Sequence, residues 1–433
     1  MDEKAALGYP IGWRERLKGG AAADAPAGPL DPEAYERIEH GPCVRVGPDE
    51  GDLRGADHRA IQAAVEYVAK LGGGTVELAP GRYTLRNAVA LRDRVRLRGT
   101  PGKTMLVACD GAESPLALDG DCNERRVTLA RPEAFRVGDG ISVQTPKSGG
   151  FATSTATLVA RAADDPRAFL LDRGLYLDYL VKQEATARLA FPLVGAWQVR
   201  DAIVEGLVLD GNKEKAQPLN GCRGGAYYAF ESERLWVRQC EFLRYAGDGI
   251  SFQVSQDVWI EDCLAAECTH LGLHPGSGSQ RPVVRRNTSR ANGSDGIFVC
   301  WRVKHGLFEA NTVEANGGQG VSIGHKDTDN LFAGNTIVNN AKAGVLFRDE
   351  SEPMGAHRNV FEGNTILDNG QREALAAVEV RGETHDLVFR GNTIGRGAAG
   401  NGPDAGIWIG PQALRVSSEG NVFKGVKQDL VKG

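Results

Sequence analysis

Four phrases in this chain are nearly the same: Leu-Phe-Glu-Ala-Asn-Thr-Val (307–313), Leu-Phe-Ala-Gly-Asn-Thr-Ile (331–337), Val-Phe-Glu-Gly-Asn-Thr-Ile (360–366) and Val-Phe-Arg-Gly-Asn-Thr-Ile (388–394). The asparagines of this phrase and its weaker copies fall at Asn287, Asn311, Asn335, Asn364, Asn392 and Asn421, at spacings of 24, 24, 29, 28 and 29. A second series, Gly249, Gly272, Gly296, Gly320 and Gly344, repeats every 23 or 24 residues. A fixed period of this length built from strand-like units means a stacked solenoid, in which each rung buries its apolar face only against its neighbours. The expected fold is all-β, a parallel β-helix with asparagines hydrogen-bonded in a ladder at the turns.

After each register glycine the residues alternate as in a half-buried strand. Ile250, Leu273, Ile297, Val321 and Val345, then Phe252, Pro275, Val299, Ile323 and Phe347, belong inside. Ser251, His274, Phe298, Ser322, Leu346, Glu379 and Trp408 belong outside, and the same frame places Tyr227 outside. A slip of one residue would turn the apolar column to water, so the register is well determined.

At 433 residues and 56 glycines, the chain can form one long solenoid domain with tight corners. The net charge of −5 and the lack of a basic run argue against nucleic acid as partner. No stretch approaches a membrane span, and the first residues lack the pattern of a signal peptide. The expectation is a cytoplasmic protein, or a secreted one whose signal has been removed. The eight cysteines have no CxxC pairing, and Cys240 and Cys263 occupy the ladder position of successive rungs, as small buried fillers would.

The pattern divides the chain into an irregular leader (1–50), a capping helix with the first rungs (51–122), a β-rich insertion (123–197) and the main solenoid (198–433). The helix is expected from Asp57 to Leu71, capped by Asp57 and burying Ile61, Ala64, Val65 and Val68. The segment Ala-Ile-Gln-Ala-Ala (60–64), the glycine run 72–74 and Thr-Val-Glu-Leu-Ala-Pro-Gly-Arg-Tyr (75–83) resemble the start of pectin-lyase-like right-handed β-helices. That resemblance implies a right-handed coil whose N-terminal end is plugged by the helix.

Projected onto neighbouring rungs ~4.8 Å apart, the outward positions gather acids, bases and flat aromatic rings. This combination suits a poly- or oligosaccharide, whose C–H faces stack and whose hydroxyls need partners. The expected substrate-binding residues are Tyr227, Asp248, His274, Phe298, Trp301, Arg302, Lys326, Arg348, Glu379 and Arg381. Turn bonding by Asp248, Asp295 or His274, and a simple Asx turn in Gly-His-Lys-Asp-Thr-Asp-Asn (324–330), are the structural alternatives. That last loop could also cradle a cation through Asp327 and Asp329.

Gly318-Gln319-Gly320-Val321-Ser322-Ile323-Gly324 resembles the Gly-His-Gly-x-Ser-x-Gly strand of polygalacturonases. The resemblance implies a general acid at Asp295 and a substrate contact at Arg348. The chain departs from the pattern at Gln319, where the histidine should be, and in having one aspartate in place of a pair, so the location carries over and the mechanism does not. Three functions follow. The first is a glycoside hydrolase pairing Asp295 with Asp349 or Glu350, tuned by His325 and Arg348 and needing no cofactor. The second is a polysaccharide lyase or uronate epimerase with His274 or His325 as base, cationic neutralisation, and Ca2+ if acids hold it. The third is a non-catalytic, tailspike-like carbohydrate-binding solenoid.

Overall fold

The computed structural model describes residues 28–433. The first 27 residues of the expected leader lie outside the described residues. Three long parallel sheets, of 13, 11 and 11 strands, run the length of the molecule. The first sheet begins at Cys43–Gly47 and takes in Leu307–Glu309 and Leu331–Ala333; the second holds Thr312–Glu314 and Thr336–Val338; the third holds Ile250–Gln253 and Val321–Ile323. Each strand pairs with its counterpart one rung away, for example Phe308 with Phe332 and Val321 with Val345. This is the parallel β-helix that the period implies.

The interior follows from the repeat. Phe308, Phe332, Phe361 and Phe389 stack along the inside of the first sheet with ring centroids 4.5, 4.4 and 5.4 Å apart. The asparagine ladder forms as expected: Asn335 Oδ1 accepts from the backbone and side-chain amides of Asn311, both at 2.9 Å. Its own side-chain amide donates to Phe308 O and Asn364 Oδ1 at 2.9 Å. These bonds satisfy backbone groups that a corner would otherwise leave buried and unpaired. A second ladder, Asn292, Asn316, Asn340 and Asn369, runs at the next corner with the same spacing. Cys263 and Cys268 continue the two ladders; all eight cysteines are free thiols.

Among the described residues, two α-helices cover the N-terminal part. α1 (Pro32–Glu39) and the strand Cys43–Gly47 lie in the stretch expected to be irregular. Asp31 caps α1, and Tyr35 and Ile38 pack on the outer face of the first sheet beside Trp236 and Trp259. α2 (His58–Lys70) starts at its cap Asp57 and buries Ile61, Ala64, Val65 and Val68 in the main core, as the sequence predicts. It ends where Gly72, at φ +93°, takes a left-handed conformation costly for other residues.

The insertion is a six-stranded antiparallel sheet from Glu113 to Leu189. It leaves the coil after Thr104–Ala108 and returns at Val194–Trp197, which is already a strand of the third sheet. It therefore projects from the corner between the second and third sheets. Arg223 on the solenoid clasps it, its guanidinium 4.1 Å from the Tyr176 ring and 5.0 Å from the Phe151 ring. Among the described residues no helix is long and apolar enough to cross a membrane.

Candidate active site

The outer face of the third sheet carries one side chain per rung in register: Tyr228, Ser251, His274, then Phe298, Ser322, Leu346, Glu379 and Trp408. Tyr227 is not among them. It pairs with Ile250, points into the core and is 0% exposed, because the strand starts one residue later than the glycine frame suggested. Tyr227 therefore cannot meet a substrate; its neighbour Tyr228 takes the outward position.

At the corner preceding this face, Asp248, Leu271, Asp295 and Gln319 stand immediately before successive register glycines. Asp248 Oδ1 accepts from Leu271 N at 3.2 Å, and Asp295 Oδ1 accepts from Gln319 N at 2.7 Å. Both carboxylates thus bond the amide one rung onward, the turn role open to them, and both lean the same way. They stay two rungs apart, about 10 Å along the axis.

The second oxygen of Asp248 has a different partner. It lies 2.7 Å from Nδ1 of His274, whose side chain is 5% exposed. With Nδ1–H donated to the carboxylate, Nε2 keeps its lone pair, and this atom is buried without a hydrogen-bond partner. A cavity of about 290 Å³ lies here, lined by Gly150 of the insertion, Cys222, Asp248, His270, His274 and Ser294. Gly221 passes so close above the Asp248–His274 bond that any side chain there would strike it. Burial holds the Asp295 carboxyl above the ordinary aspartate range, against the opposing pull of the Gln319 amide and the Arg348 charge.

Arg348 lies across the middle of the face. Its guanidinium sits 4.6 Å from the Phe298 ring centroid and donates to Ser322 Oγ at 3.0 Å, Val299 O at 2.9 Å and Asp327 Oδ2 at 3.2 Å. Phe298 in turn meets His274 edge-on at 5.4 Å. Asp327 is fully buried, and desolvation outweighs its cationic neighbour and pushes its carboxyl up to about 7. Its oxygens also accept from Val303 N and Gly324 N, while Asp329 is bound twice by Arg358. Both acids are thereby engaged by donors, as in the Asx-rich turn that the sequence offers for this loop.

The remaining candidates cluster at the far edge, where the third sheet turns into the first. Trp301, 46% exposed, stacks on His325 at 4.2 Å, and His325 Nδ1 lies 3.5 Å from Glu350 Oε2. Arg302 and Asp349 are exposed, and Lys326 is half-buried. Glu379 is buried and held by Arg381 and the Leu375 amide. Asp349 follows its register glycine by five residues, whereas Asp295 precedes its own by one. Six residues of strand span about 20 Å, too far for the expected pairing of Asp295 with Asp349 or Glu350, since paired glycosidase carboxyls stand about 5–9.5 Å apart. Asp295 instead shares its corner with Asp248, which in turn holds His274.

A group of Glu352, His357 and His385 has ligand-type atoms within 4.8 Å of one another. His357 is already committed, however: Nε2 bonds Glu352 O at 2.8 Å while Nδ1 accepts from His385 N at 3.2 Å. A metal on Nε2 would force a second donor against that amide.

Residues 206–353 match the family described as a right handed beta helix region. No curated protein sequence matches the chain. Among solved structures, the A-module of an Azotobacter vinelandii mannuronan C-5 epimerase is 18% identical over 90% of this chain and 99% of its own, with a TM-score of 0.53. A second A-module from that organism's epimerases is 16% identical over 87% and 95%, with a TM-score of 0.52. The Dettilon tailspike protein is 14% identical over 90% of this chain and 62% of its own, also at 0.52. The fold is thus the right-handed parallel β-helix expected from the N-terminal resemblance, one shared by carbohydrate-active enzymes and tailspikes.

Proposed function

We propose that the chain is a carbohydrate-active enzyme that hydrolyses glycosidic bonds at the Asp248–His274–Asp295 corner. The observation that carries this reading is the buried, unpartnered Nε2 of His274, whose ring Asp248 fixes beside a cavity that Ser294, the neighbour of Asp295, also lines. An imidazole held in this way is a general base: Nε2 takes a proton from water, and the Asp248 carboxylate stabilises the imidazolium that forms. Asp295, kept protonated to higher pH by its burial, serves as the general acid to the leaving oxygen. Asp248 and Asp295 stand two rungs, about 10 Å, apart, a spacing that suits a water between base and sugar, so inversion of the anomeric centre is expected. Phe298 and the Trp301–His325 stack offer ring faces to sugar units on the rest of the face.

One observation favours a second reading. Arg348 lies over Phe298, whose ring meets His274 edge-on, so that it could neutralise a uronate carboxylate while His274 removes the adjacent carbon-bound proton. Incubation with a panel of neutral and uronate polysaccharides separates the two. New reducing ends without the ultraviolet absorbance of an unsaturated uronate support hydrolysis. Absorbance, or C-5 inversion without cleavage, replaces it with proton abstraction. No product with any polymer, despite binding, leaves the tailspike-like binding solenoid.

A further inference from the structure

The molecule has a larger cavity than the one at His274. A cleft of about 640 Å³ opens at the other side of the insertion, between α2, the insertion and the first two strands of the third sheet. The two hollows share no lining residue. The size is that of a small-molecule site.

Its chemistry is specific. Trp197 occupies an outward position, one rung before Phe230, and stands half-buried in the floor with its ring laid on Gly195. On one wall Arg92 grips Glu66 of α2, with Nε 3.2 Å from Oε2 and Nη2 2.5 Å from Oε1. On the other, Arg173 grips Asp172 through two contacts of 3.2 and 3.1 Å. The cleft therefore presents two cations and two anions whose charges cancel, and burial pushes the pKa of His58 down, toward its neutral form. An anionic ligand gains nothing from such a balance, and a purely apolar one would strand the pairs' free lone pairs and protons. A flat indole flanked by planar groups that both donate and accept fits a neutral sugar unit: its C–H face lies on the ring and its hydroxyls bridge the pairs.

We propose that this cleft is a second saccharide-binding site, holding a neutral unit of the polymer away from the place where it is cut. Trp197 lies three rungs from the level of His274, about 14 Å, so only a saccharide of several units reaches both. The proposal rests on the polysaccharide reading above.

The test is retardation in native gels cast with dextran, glucomannan or mixed-linkage β-glucan, with alginate as the anionic control. The proteins are wild type, Trp197→Ala, Glu66→Ala on the exposed wall, and His274→Ala. Wild type and His274→Ala should be retarded by a neutral polymer, with dissociation constants raised about tenfold in Trp197→Ala and several-fold in Glu66→Ala. Equal retardation of Trp197→Ala and Glu66→Ala with wild type overturns the site, as does retardation by alginate alone. The polysaccharide reading fails separately: its failure is no retardation by any polymer together with no product from any, whereas products with no effect of Trp197 overturn only the cleft.

Discussion

Replacing Gly221 with alanine should dismantle the proposed base without touching either of its residues. A Cβ at this position would lie 1.7 Å from Asp248 Oδ2 and 2.7 Å from His274 Nδ1. Real carbon–oxygen contacts need at least about 3 Å, so the carboxylate must retreat by more than 1 Å. Gly221 itself is anchored, its carbonyl accepting from Ser251 Oγ at 2.6 Å. Its backbone is not left-handed, so alanine adds no conformational strain and the damage falls on the Asp248–His274 bond. Loss of a hydrogen bond to a charged group costs about 1.5–3 kcal/mol of stability, and misplacing a catalytic group by about 1 Å costs about 100-fold in rate. Nitrogen-15 spectra of the eight histidine rings read the bond directly. Wild type should show two rings held with the proton on Nδ1, His274 against Asp248 and His385 against Asp386, each at 2.7 Å, and Gly221→Ala should release only His274 to a mixture of tautomers. An unchanged His274 ring, with unchanged stability, would refute the geometry on which the site is built.

Asn335→Ala removes the acceptor of two Asn311 donors and the donor to Phe308 O, stranding buried polar groups at about 1–3 kcal/mol each. Denaturant unfolding should show a loss of about 3–5 kcal/mol, and amide exchange should rise first at the rungs containing Asn311 and Asn335. Because burial raises the Asp295 carboxyl, its acid form persists to higher pH than an ordinary aspartate's. Hydrolysis should fall as pH rises through that raised value, and Asp295→Asn should abolish the activity at every pH. Asp327 titrates at about 7 in the fold, against about 3.9 unfolded, so the native state holds the extra proton between those values. Stability should decline as pH rises from about 4 to 7, and Asp327→Asn should flatten that slope in thermal unfolding. The products of hydrolysis, followed by proton NMR from the first turnover, should carry the inverted anomeric configuration.

The rungs were legible because each asparagine, glycine and inward apolar residue does the same job at every turn. The second ladder, at Asn292, Asn316, Asn340 and Asn369, has the same period and could have been read from spacing alone. Tyr227 falls inside because Ala226, and not Gly225, stands level with Gly249, and a shift of one reverses the side chain. The helix and strand within 28–50 carry no repeat to betray them. Asp248, His274, Asp295, Phe298 and Arg348 were all recognisable as outward polar or aromatic groups. Their grouping was not, because the period counts distance along the coil and says nothing of the width of a face. Asp295 and Asp349 look close in rung number but lie at opposite edges of one sheet. Gly221 carries no chemistry of its own; only folding sets it against Asp248.

The most direct measurement compares kcat for His274→Ala and Glu350→Gln on the first polymer found to be cleaved. His274→Ala should lose at least about 1,000-fold, as for removal of a general base, and Glu350→Gln should change by less than about threefold. Activity surviving in His274→Ala and lost in Glu350→Gln would move the catalytic centre to the far edge of the sheet and contradict the account.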